Sequence, residues 1–373
     1  MTELNASAEV RAYVQNRIGF IELNRPQALN ALSLGMIRAL AGALDAWRND
    51  PEVTAVVIHS PHPRAFCAGG DVRALYEAGK QGDRATIDAF FTEEYTLNHA
   101  IFSFPKPYIA LMHGVVMGGG MGISQAAHHT GGLRVVTDST KMAMPETRIG
   151  LFPDVGMSWF LARTEGQLGR YLAVTGATLD AAGALYAGLA DAYLPDAALP
   201  GLIEALKHES FADGAAVVTR VAEAASQHAL QPGASTLAEM RDAIDTHFAR
   251  ESLAEIVASL VGARASERHG AWAAYTVDTL QALSPLSMAV SLELIARARG
   301  ASMADCLRTD LGLTRTTFAR GDVQEGIRAR LVDKDNMPHW RHATIADVTP
   351  EDLEGMFKSP WTLAEHPLAA LRD

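Results

Sequence analysis

Two hydrophobic periodicities alternate along the first part of the chain. Apolar residues occupy every second position in 10–14, and the extended run Ile18–Leu23 follows, so this pattern predicts a β-hairpin. From Ser33, whose side chain can cap a helix, apolar residues recur three and four positions apart until Asp50-Pro51 stops the predicted helix. The β-branched run 53–59 is typical of a buried strand.

A second series of elements of the same kind follows along the chain. The pattern predicts a loop at 61–71, then a helical stretch, then a strand at 108–113. Another helix is expected after the glycines of 118–122, and 133–136 again has the character of a strand. Strands that alternate with helices indicate an α/β domain, which we place at residues 1–200.

The character of the sequence changes after residue 200. Residues 201–373 are rich in alanine and contain few strand signals, so they predict a mainly helical C-terminal region. Pro195, Pro200 and Gly201 mark the expected boundary, although a Pro/Gly pair is equally common between elements of one domain. The apolar positions expected to face a core here are Leu202, Leu206, Val217, Val218 and Val221.

Composition narrows the classes of protein to consider. The 373 residues are 48% hydrophobic and 20% charged, which excludes global disorder. With 32 Lys and Arg against 43 Asp and Glu, the net charge is −11, and such a chain lacks the broad positive field that supports nucleic-acid binding. We therefore expect no nucleic-acid partner, and any phosphate-bearing ligand must be held locally.

The cysteines and the N-terminal residues predict the compartment. Cys67 and Cys306 are too few for a disulfide framework or a four-thiolate zinc site, which favours a reducing compartment. The first 14 residues contain Glu3 and Glu9 and no apolar run of signal length, so we expect a cytoplasmic protein, although a processed mitochondrial form would look similar. The uncharged stretch 107–133 contains seven glycines and three histidines, which indicates buried protein interior and no membrane partner.

Several well-known motifs are absent. The glycines of 118–122 are followed by no Gly-Lys-Ser/Thr, and Ile123 stands where a dinucleotide-binding motif would have its last glycine. The sequence has neither a G-x-S-x-G elbow nor an H-E-x-x-H pair, and no other pattern of metal-ligand spacing. We therefore expect no metal and no bound nucleotide cofactor.

Two glycine-rich junctions, 65–72 and 113–122, each follow a predicted strand. Glycines at such junctions allow a close approach of the backbone to a ligand, and the free N–H groups of a first helical turn point outward. If both junctions face one point, they form a two-donor oxyanion hole. For each junction alone, a simple tight turn remains the alternative.

Two carboxylates lie eight positions apart in the segment 144–156. Glu146 and Asp154 are surrounded by prolines and apolar residues, so neither belongs to a solvated helix face. An apolar environment raises the pKa of a carboxyl group, which suits it to proton transfer near neutral pH. The alternative is a pair of loop caps or of ion-pair partners for Arg148.

These segments together resemble the crotonase, or enoyl-CoA hydratase/isomerase, superfamily, and in detail its 3-hydroxyisobutyryl-CoA hydrolase branch. The resemblance covers about residues 10–358. Beyond 65–72 and 144–156, the segments that match in order are Leu23-Asn24-Arg25-Pro26, Leu29-Asn30-Ala31-Leu32, Glu93-Glu94-Tyr95 with Leu97-Asn98, Lys106-Pro107, Glu325-Gly326-Ile327-Arg328-Ala329, and Val332-Asp333-Lys334-Asp335 with Pro338 and Trp340.

The resemblance implies a spiral of β-β-α repeats that binds an acyl-CoA. It assigns the two N–H donors for the thioester oxygen to Gly70 and Gly119, the catalytic carboxylate to Glu146 and a second acid to Asp154. Glu94 matches a residue of the acyl pocket. CoA would be part of the substrate, so no separate cofactor is expected. The family commonly forms trimers or dimers of trimers, which leaves a homo-oligomer open.

One departure distinguishes between reactions within the family. Hydratases of the family carry a catalytic glutamate at the position of Gly122, and a glycine cannot transfer a proton. The expected reaction is therefore hydrolysis of 3-hydroxyisobutyryl-CoA, or of a similar short 3-hydroxyacyl-CoA, in valine catabolism. An enoyl-CoA hydratase or isomerase using Glu146 with Asp154 is the first alternative, and a non-catalytic CoA-binding protein is the second.

Overall fold

Two β-sheets organise the described residues, which are 2–7, 9–227 and 235–373 of a computed structural model. The strands are β1 (Thr2–Ser7), β2 (Val10–Gln15), β3 (Ile18–Leu23), β4 (Ala55–His59), β5 (Ala65–Cys67), β6 (Tyr108–Met112), β7 (Val115–Met117), β8 (Arg134–Val136), β9 (Lys141–Ala143) and β10 (Ala192–Tyr193). The larger sheet has the order β1-β2-β3-β4-β6-β8-β10, and the smaller has the order β5-β7-β9.

Helices make up most of the rest of the described chain. They are α1 (Leu34–Arg48), α2 (Val72–Lys80), α3 (Arg84–Phe102), α4 (Gly119–Gly122), α5 (Met157–Leu161), α6 (Leu168–Thr175), α7 (Ala181–Tyr186), α8 (Leu199–His208), α9 (Gly214–Gln227), α10 (Thr236–Glu239), α11 (Arg241–Phe248), α12 (Leu253–Ala263), α13 (Gly270–Gln281), α14 (Pro285–Ala298), α15 (Met303–Arg320), α16 (Val323–Ile327) and α17 (Pro350–Phe357). The mainly helical C-terminal region is thus confirmed.

The larger sheet is antiparallel at one side and parallel across the rest. Strands β1, β2 and β3 pair antiparallel, whereas β3, β4, β6, β8 and β10 follow one another in parallel. The predicted hairpin turns at Asn16 and Arg17, whose positive φ angles of 55° and 60° suit a tight two-residue connection. Every residue of β3 and β4 is buried, as expected for strands covered on both faces.

A β-β-α order recurs along the chain. A strand of the larger sheet is followed by a strand of the smaller sheet and then by helix: β4 and β5 precede α2, and β6 and β7 precede α4. Strands β8 and β9 continue the same order. This arrangement confirms the predicted α/β fold built from a spiral of β-β-α repeats.

The chain divides into two compact units, each assembled from separate stretches. The first contains residues 1–71, 93–142 and 179–236, and the second contains 72–92, 143–178 and 237–373. Sequence analysis divided the chain once, at residue 200, and that domain boundary stays a prediction. In the structure, α8 and α9, which lie on either side of residue 210, both contribute to the core of the first unit.

Each unit has a hydrophobic core of its own. In the first, side chains from the larger sheet pack against α8 and α9; the core includes Phe20, Val57, Ile109, Leu111, Val135, Leu202, Leu206, Val217 and Val221, with Val218 partly buried against it. In the second, helices pack on the segment around Phe152; the core includes Tyr76, Leu151, Phe152, Leu286, Val290, Leu294, Leu313, Val323 and Ile327.

Five strands, β1, β5, β7, β9 and β10, were not predicted from the sequence. The predicted loop 61–71 contains β5, the second glycine-rich junction contains β7, and β9 directly precedes the segment 144–156. Gly118 precedes α4, which Gly119–Gly122 form, and the 3-10 helix Gln125–Ala127 follows. Among the described residues, no single helix is both long enough and apolar enough to cross a membrane. Helices α13 and α14 meet these two criteria only when they are taken together, and they are bent by 111° relative to each other.

Candidate active site

The two predicted N–H donors follow neighbouring strands of the smaller sheet. Strands β5 and β7 pair in parallel, with Ala65 opposite Val115, so the carboxyl ends of both strands lie at the same edge. Gly70 comes three residues after β5, and Gly119 comes two residues after β7. The structure therefore brings the two glycine-rich junctions together.

The surroundings of Gly119 leave no room for a side chain. A Cβ at this position would lie 2.6 Å from Glu94 Oε1, 3.1 Å from Leu32 Cδ1 and 3.3 Å from Gly70 N. Gly119 begins α4, and the first N–H groups of a helix have no acceptor within it. Two backbone N–H donors at adjacent positions can bind one oxygen that becomes negatively charged during a reaction.

Backbone contacts to Leu32 hold the loop that carries Gly70. Leu32 N–H donates to Gly69 O at 2.7 Å, and Asp71 N–H donates to Leu32 O at 2.9 Å. Gly69 has a φ of 109°, which favours glycine. Arg25 adds an ion pair to Asp71, with 2.6 Å between Nη2 and Oδ2. The Gly70 N–H is thus fixed by its neighbours before any ligand binds.

Glu94 and Asn98 lie one turn apart on α3, in the first unit. Glu94 is 2% exposed and contacts the Gly119 position described above, whereas its neighbour Glu93 forms an ion pair with Arg38. Asn98 is 3% exposed, and neither atom of its amide has a hydrogen-bond partner within the described part of the chain. In the sequence, Asn98 belongs to the matching segment Leu97-Asn98 but was not predicted as a site residue. Its spacing of four residues from Glu94, which places both side chains on one face of a helix, could have indicated it.

Glu146 lies in the second unit, at the start of a 3-10 turn, Glu146–Ile149. Gly150 ends this turn with a φ of 71°. Close backbone contacts fix it: a Cβ at Gly176 would lie 2.9 Å from Pro145 Cα, and one at Gly326 would lie 2.3 Å from Ile149 C. The carboxylate of Glu146 is consequently buried on a rigid backbone, and the segment belongs to no solvated helix face.

Asp154, also in the second unit, is buried and precedes two residues of left-handed backbone conformation. Val155 has a φ of 53° and Gly156 has a φ of 76°. A positive φ is rare for a β-branched residue such as Val155. Gly156 N–H donates to Asp310 Oδ2 at 2.9 Å. Burial, and then the negative charge of Asp154, raise the pKa of Asp310 well above its usual range. Burial beside Asp154 therefore disfavours the charged form of Asp310.

Sequence analysis missed Asp310. The residue belongs to α15, between the buried residues Leu307 and Leu311 on the helix. A single acidic residue among the apolar positions of a helix was the signal, because an unpaired charge is seldom buried in a core. Within the described residues, no cluster of three or more His, Cys, Asp or Glu side chains could hold a metal ion. The absence of a metal from the reaction stays a prediction.

The thiols do not have the properties of nucleophiles. Burial raises the pKa of Cys67 to about 12, although Cys67 lies close to Gly70 in sequence. Burial likewise raises the pKa of Cys306 to about 12. Nucleophilic attack requires the thiolate, which is almost absent at neutral pH in both cases.

We expect the native protein to resist alkylation. Iodoacetamide at mildly alkaline pH should label neither thiol within the time that labels both in the unfolded chain, and activity should be unchanged, because both groups are buried and protonated. Mass spectrometry of the labelled protein measures this. Rapid labelling of Cys67 with parallel loss of activity would contradict the burial of this thiol.

Comparison with known proteins decides the family. The sequence profile described as enoyl-CoA hydratase/isomerase matches residues 18–357. The chain belongs to the enoyl-CoA hydratase/isomerase family. Curated family members include a protein of Xenopus laevis named 3-hydroxyisobutyryl-CoA hydrolase, mitochondrial, which is 39% identical over 91% of this chain and 86% of its own length. The human protein of the same name is 37% identical over 95% of this chain and 90% of its own length.

Solved structures of family members have the same fold. One described as a carnitinyl-CoA dehydratase from Mycobacterium thermoresistibile is 39% identical, with a TM-score of 0.85 over 94% of this chain and 96% of the other. One described as an enoyl-CoA hydratase from Rhodobacter sphaeroides is 38% identical, with a TM-score of 0.83 over 94% of this chain and 98% of the other. The crotonase fold expected from the sequence is confirmed.

Proposed function

We propose that this chain hydrolyses the thioester of 3-hydroxyisobutyryl-CoA, or of a similar short 3-hydroxyacyl-CoA, in valine breakdown. Curated relatives at 37–39% identity, covering most of both chains, carry the name of this hydrolase. The observation that carries the proposal is Gly122, buried in α4 where the family's hydratases have a second catalytic glutamate. With a glycine there, the acids assigned to catalysis are Glu146 and Asp154, which both belong to the hydrolase pattern.

The first step is addition of a nucleophile to the thioester carbonyl. Negative charge develops on the carbonyl oxygen, and the N–H groups of Gly70 and Gly119 donate hydrogen bonds to it. Because the surrounding backbone already fixes both donors, little reorganisation is needed as the charge develops. Glu94, in contact with the Gly119 position, would line the acyl pocket.

Glu146 supplies the base or the nucleophile. As a base, it takes a proton from water while the water oxygen bonds to the carbonyl carbon; as a nucleophile, it forms a mixed anhydride that water then opens. In either case the C–S bond breaks, and the CoA thiolate leaves and is protonated. The products are the free hydroxy acid and CoA, so CoA is part of the substrate and no separate cofactor takes part. We assign to Asp154 the binding of the substrate 3-hydroxyl.

A hydratase is the second candidate, because the two similar solved structures are described as a dehydratase and a hydratase. Incubation with 3-hydroxyisobutyryl-CoA and, separately, with crotonyl-CoA distinguishes the candidates. A hydrolase releases thiol from the first and leaves the enoyl absorbance of the second unchanged. A hydratase removes that absorbance without thiol release, and a non-catalytic CoA-binding protein does neither.

Compartment and assembly stay predictions. The curated relatives are named as mitochondrial proteins, whereas the N-terminal residues of this chain led us to expect the cytoplasm. A homo-oligomer is expected only because members of the family commonly form trimers or dimers of trimers. The proposed chemistry requires neither a second copy nor a particular compartment.

Replacement of Asp154 tests the substrate assignment. We expect Asp154→Ala to lower kcat/KM for 3-hydroxyisobutyryl-CoA about 10- to 100-fold more than for isobutyryl-CoA, because a hydrogen bond to a charged group is lost only with the hydroxylated substrate. Asp278→Ala, at a side chain that is 73% exposed, is the control. Equal losses of kcat/KM on both substrates would assign Asp154 to the thioester step. Unchanged kcat/KM on both substrates would leave Asp154 with a structural role only.

A further inference from the structure

Asp310 is a fully buried carboxyl group close to Asp154. It is 0% exposed, and its Oδ1 has no hydrogen-bond partner within the described part of the chain. Its Oδ2 accepts the hydrogen bond from Gly156 N–H. Ionisation of a carboxyl group in a hydrophobic core carries a large desolvation cost. Such a group is therefore stable there only when it is uncharged and makes a specific hydrogen bond.

The Gly156 N–H that donates this hydrogen bond belongs to a backbone turn with an unfavourable conformation. The turn 154–156 contains Val155 at a φ of 53°, a conformation that costs free energy for a β-branched residue and persists only when neighbouring groups fix it. Helix α15 provides such groups at two points. Asp310 accepts from Gly156 N–H, and Met303 lies so near that a Cβ at Gly156 would be 2.6 Å from its Sδ.

We propose that Asp310 positions Asp154: by accepting the Gly156 N–H, it holds the turn 154–156 in the shape that presents the Asp154 carboxylate to the substrate 3-hydroxyl. The inference rests on the proposed function, because it gives Asp154 its substrate-binding role. Asp310 itself touches neither the substrate nor the reacting atoms in this account. It is a positioning residue that acts through the backbone between 154 and 156.

The charge state of Asp310 is part of this role. Two adjacent buried carboxyl groups cannot both ionise without a large electrostatic cost. The raised pKa of Asp310 favours its uncharged form, which avoids a second negative charge beside Asp154. Asparagine has nearly the same shape, is neutral and keeps an oxygen that can accept the Gly156 N–H, so it should replace Asp310 in this role.

The test compares Asp310→Ala and Asp310→Asn through one ratio: kcat/KM for 3-hydroxyisobutyryl-CoA divided by kcat/KM for isobutyryl-CoA. Partial unfolding lowers both values equally and cancels in the ratio, so a merely structural role would not change it. We expect Asp310→Ala to lower the ratio about tenfold, the effect of weakening one hydrogen bond to a charged group. Asp310→Asn and the control Asp305→Ala, at a 58% exposed position of the same helix, should keep the wild-type ratio.

The outcomes separate this inference from the proposed function. If the wild-type protein shows no preference for the hydroxylated substrate, the substrate assignment fails and the inference fails with it. If the preference exists and Asp310→Ala retains it, the inference alone is overturned. If Asp310→Ala does not fold, the ratio measured for Asp310→Asn tests the inference instead. A ratio far below the wild-type value would overturn the role of Asp310 as an uncharged hydrogen-bond acceptor, and a wild-type ratio supports that role. Addition of Asp154→Ala to Asp310→Ala should lower the ratio no further than Asp154→Ala alone.

Discussion

We expect Glu146→Gln to lower the rate of thiol release from 3-hydroxyisobutyryl-CoA by about 10²- to 10⁴-fold, because the variant loses the general base or nucleophile that we assign to this position. The amide keeps the shape of the side chain but can neither accept the proton nor attack the carbonyl. Because Glu146 lies on a turn fixed by close contacts of Gly176 and Gly326, we expect the backbone to stay in place. CoA binding should therefore change little, and the loss should appear in kcat.

Steady-state kinetics and a direct measurement of CoA affinity check this expectation together. Glu165→Gln is the matched control, because the same chemical change falls on a side chain that is 85% exposed in the same unit. That variant should behave as wild type. Retention of even a tenth of wild-type turnover by Glu146→Gln would remove Glu146 from its assigned role.

We expect Gly119→Ala to lower kcat for thiol release by about 10²- to 10³-fold, the cost typical of losing one oxyanion donor. The added methyl group would collide with Glu94 Oε1 at 2.6 Å and crowd Leu32 Cδ1 at 3.1 Å. Glu94 is buried, so it cannot move away into solvent, and the backbone at Gly119 must shift instead. The N–H group remains, but its alignment with the N–H of Gly70 is lost.

Gly42→Ala provides the control for this prediction. Gly42 lies within α1 and has no atom within 4 Å of a Cβ at that position, so alanine fits there and should, if anything, stabilise the helix. Kinetics and thermal unfolding of both variants separate a local effect from a general one. Wild-type kcat in Gly119→Ala would contradict the assignment of this N–H to the thioester oxygen.

Long elements with a strong pattern were predictable from the sequence. The structure confirms the hairpin of β2 and β3 and the helix α1, which begins after Ser33 as expected and whose Met36 N–H donates to the Ser33 hydroxyl at 3.1 Å. Both have several consecutive residues whose apolar period matches the element. In such segments local preference and burial favour the same structure, so the pattern is informative.

The strands of the smaller sheet were not predictable in the same way. Strands β5, β7 and β9 have three residues each, which is too short for a period of two to be detected. Their pairing depends on residues that are distant in the sequence. The sequence thus indicated two glycine-rich junctions that each follow a predicted strand, whereas only the structure places Gly70 and Gly119 next to each other.

The partners of the acidic residues also depend on tertiary structure. Glu146 and Asp154 were identified by their apolar neighbours and their match to a family pattern. Asp310 is 156 positions beyond Asp154 in the chain, so no local signal could connect the two. Burial of Asp310 against Gly156 is a property of how α15 packs, and it is visible only in the folded protein.

Product analysis with one substrate distinguishes thioester hydrolysis from dehydration. The purified protein is incubated with 3-hydroxyisobutyryl-CoA, and the products are identified by liquid chromatography and mass spectrometry beside a reaction with Glu146→Gln. We predict equal amounts of free CoA and 3-hydroxyisobutyrate, formed by the wild-type protein and nearly absent with the variant. An unsaturated acyl-CoA, in which water has been lost and the thioester is intact, would contradict it and establish a dehydratase.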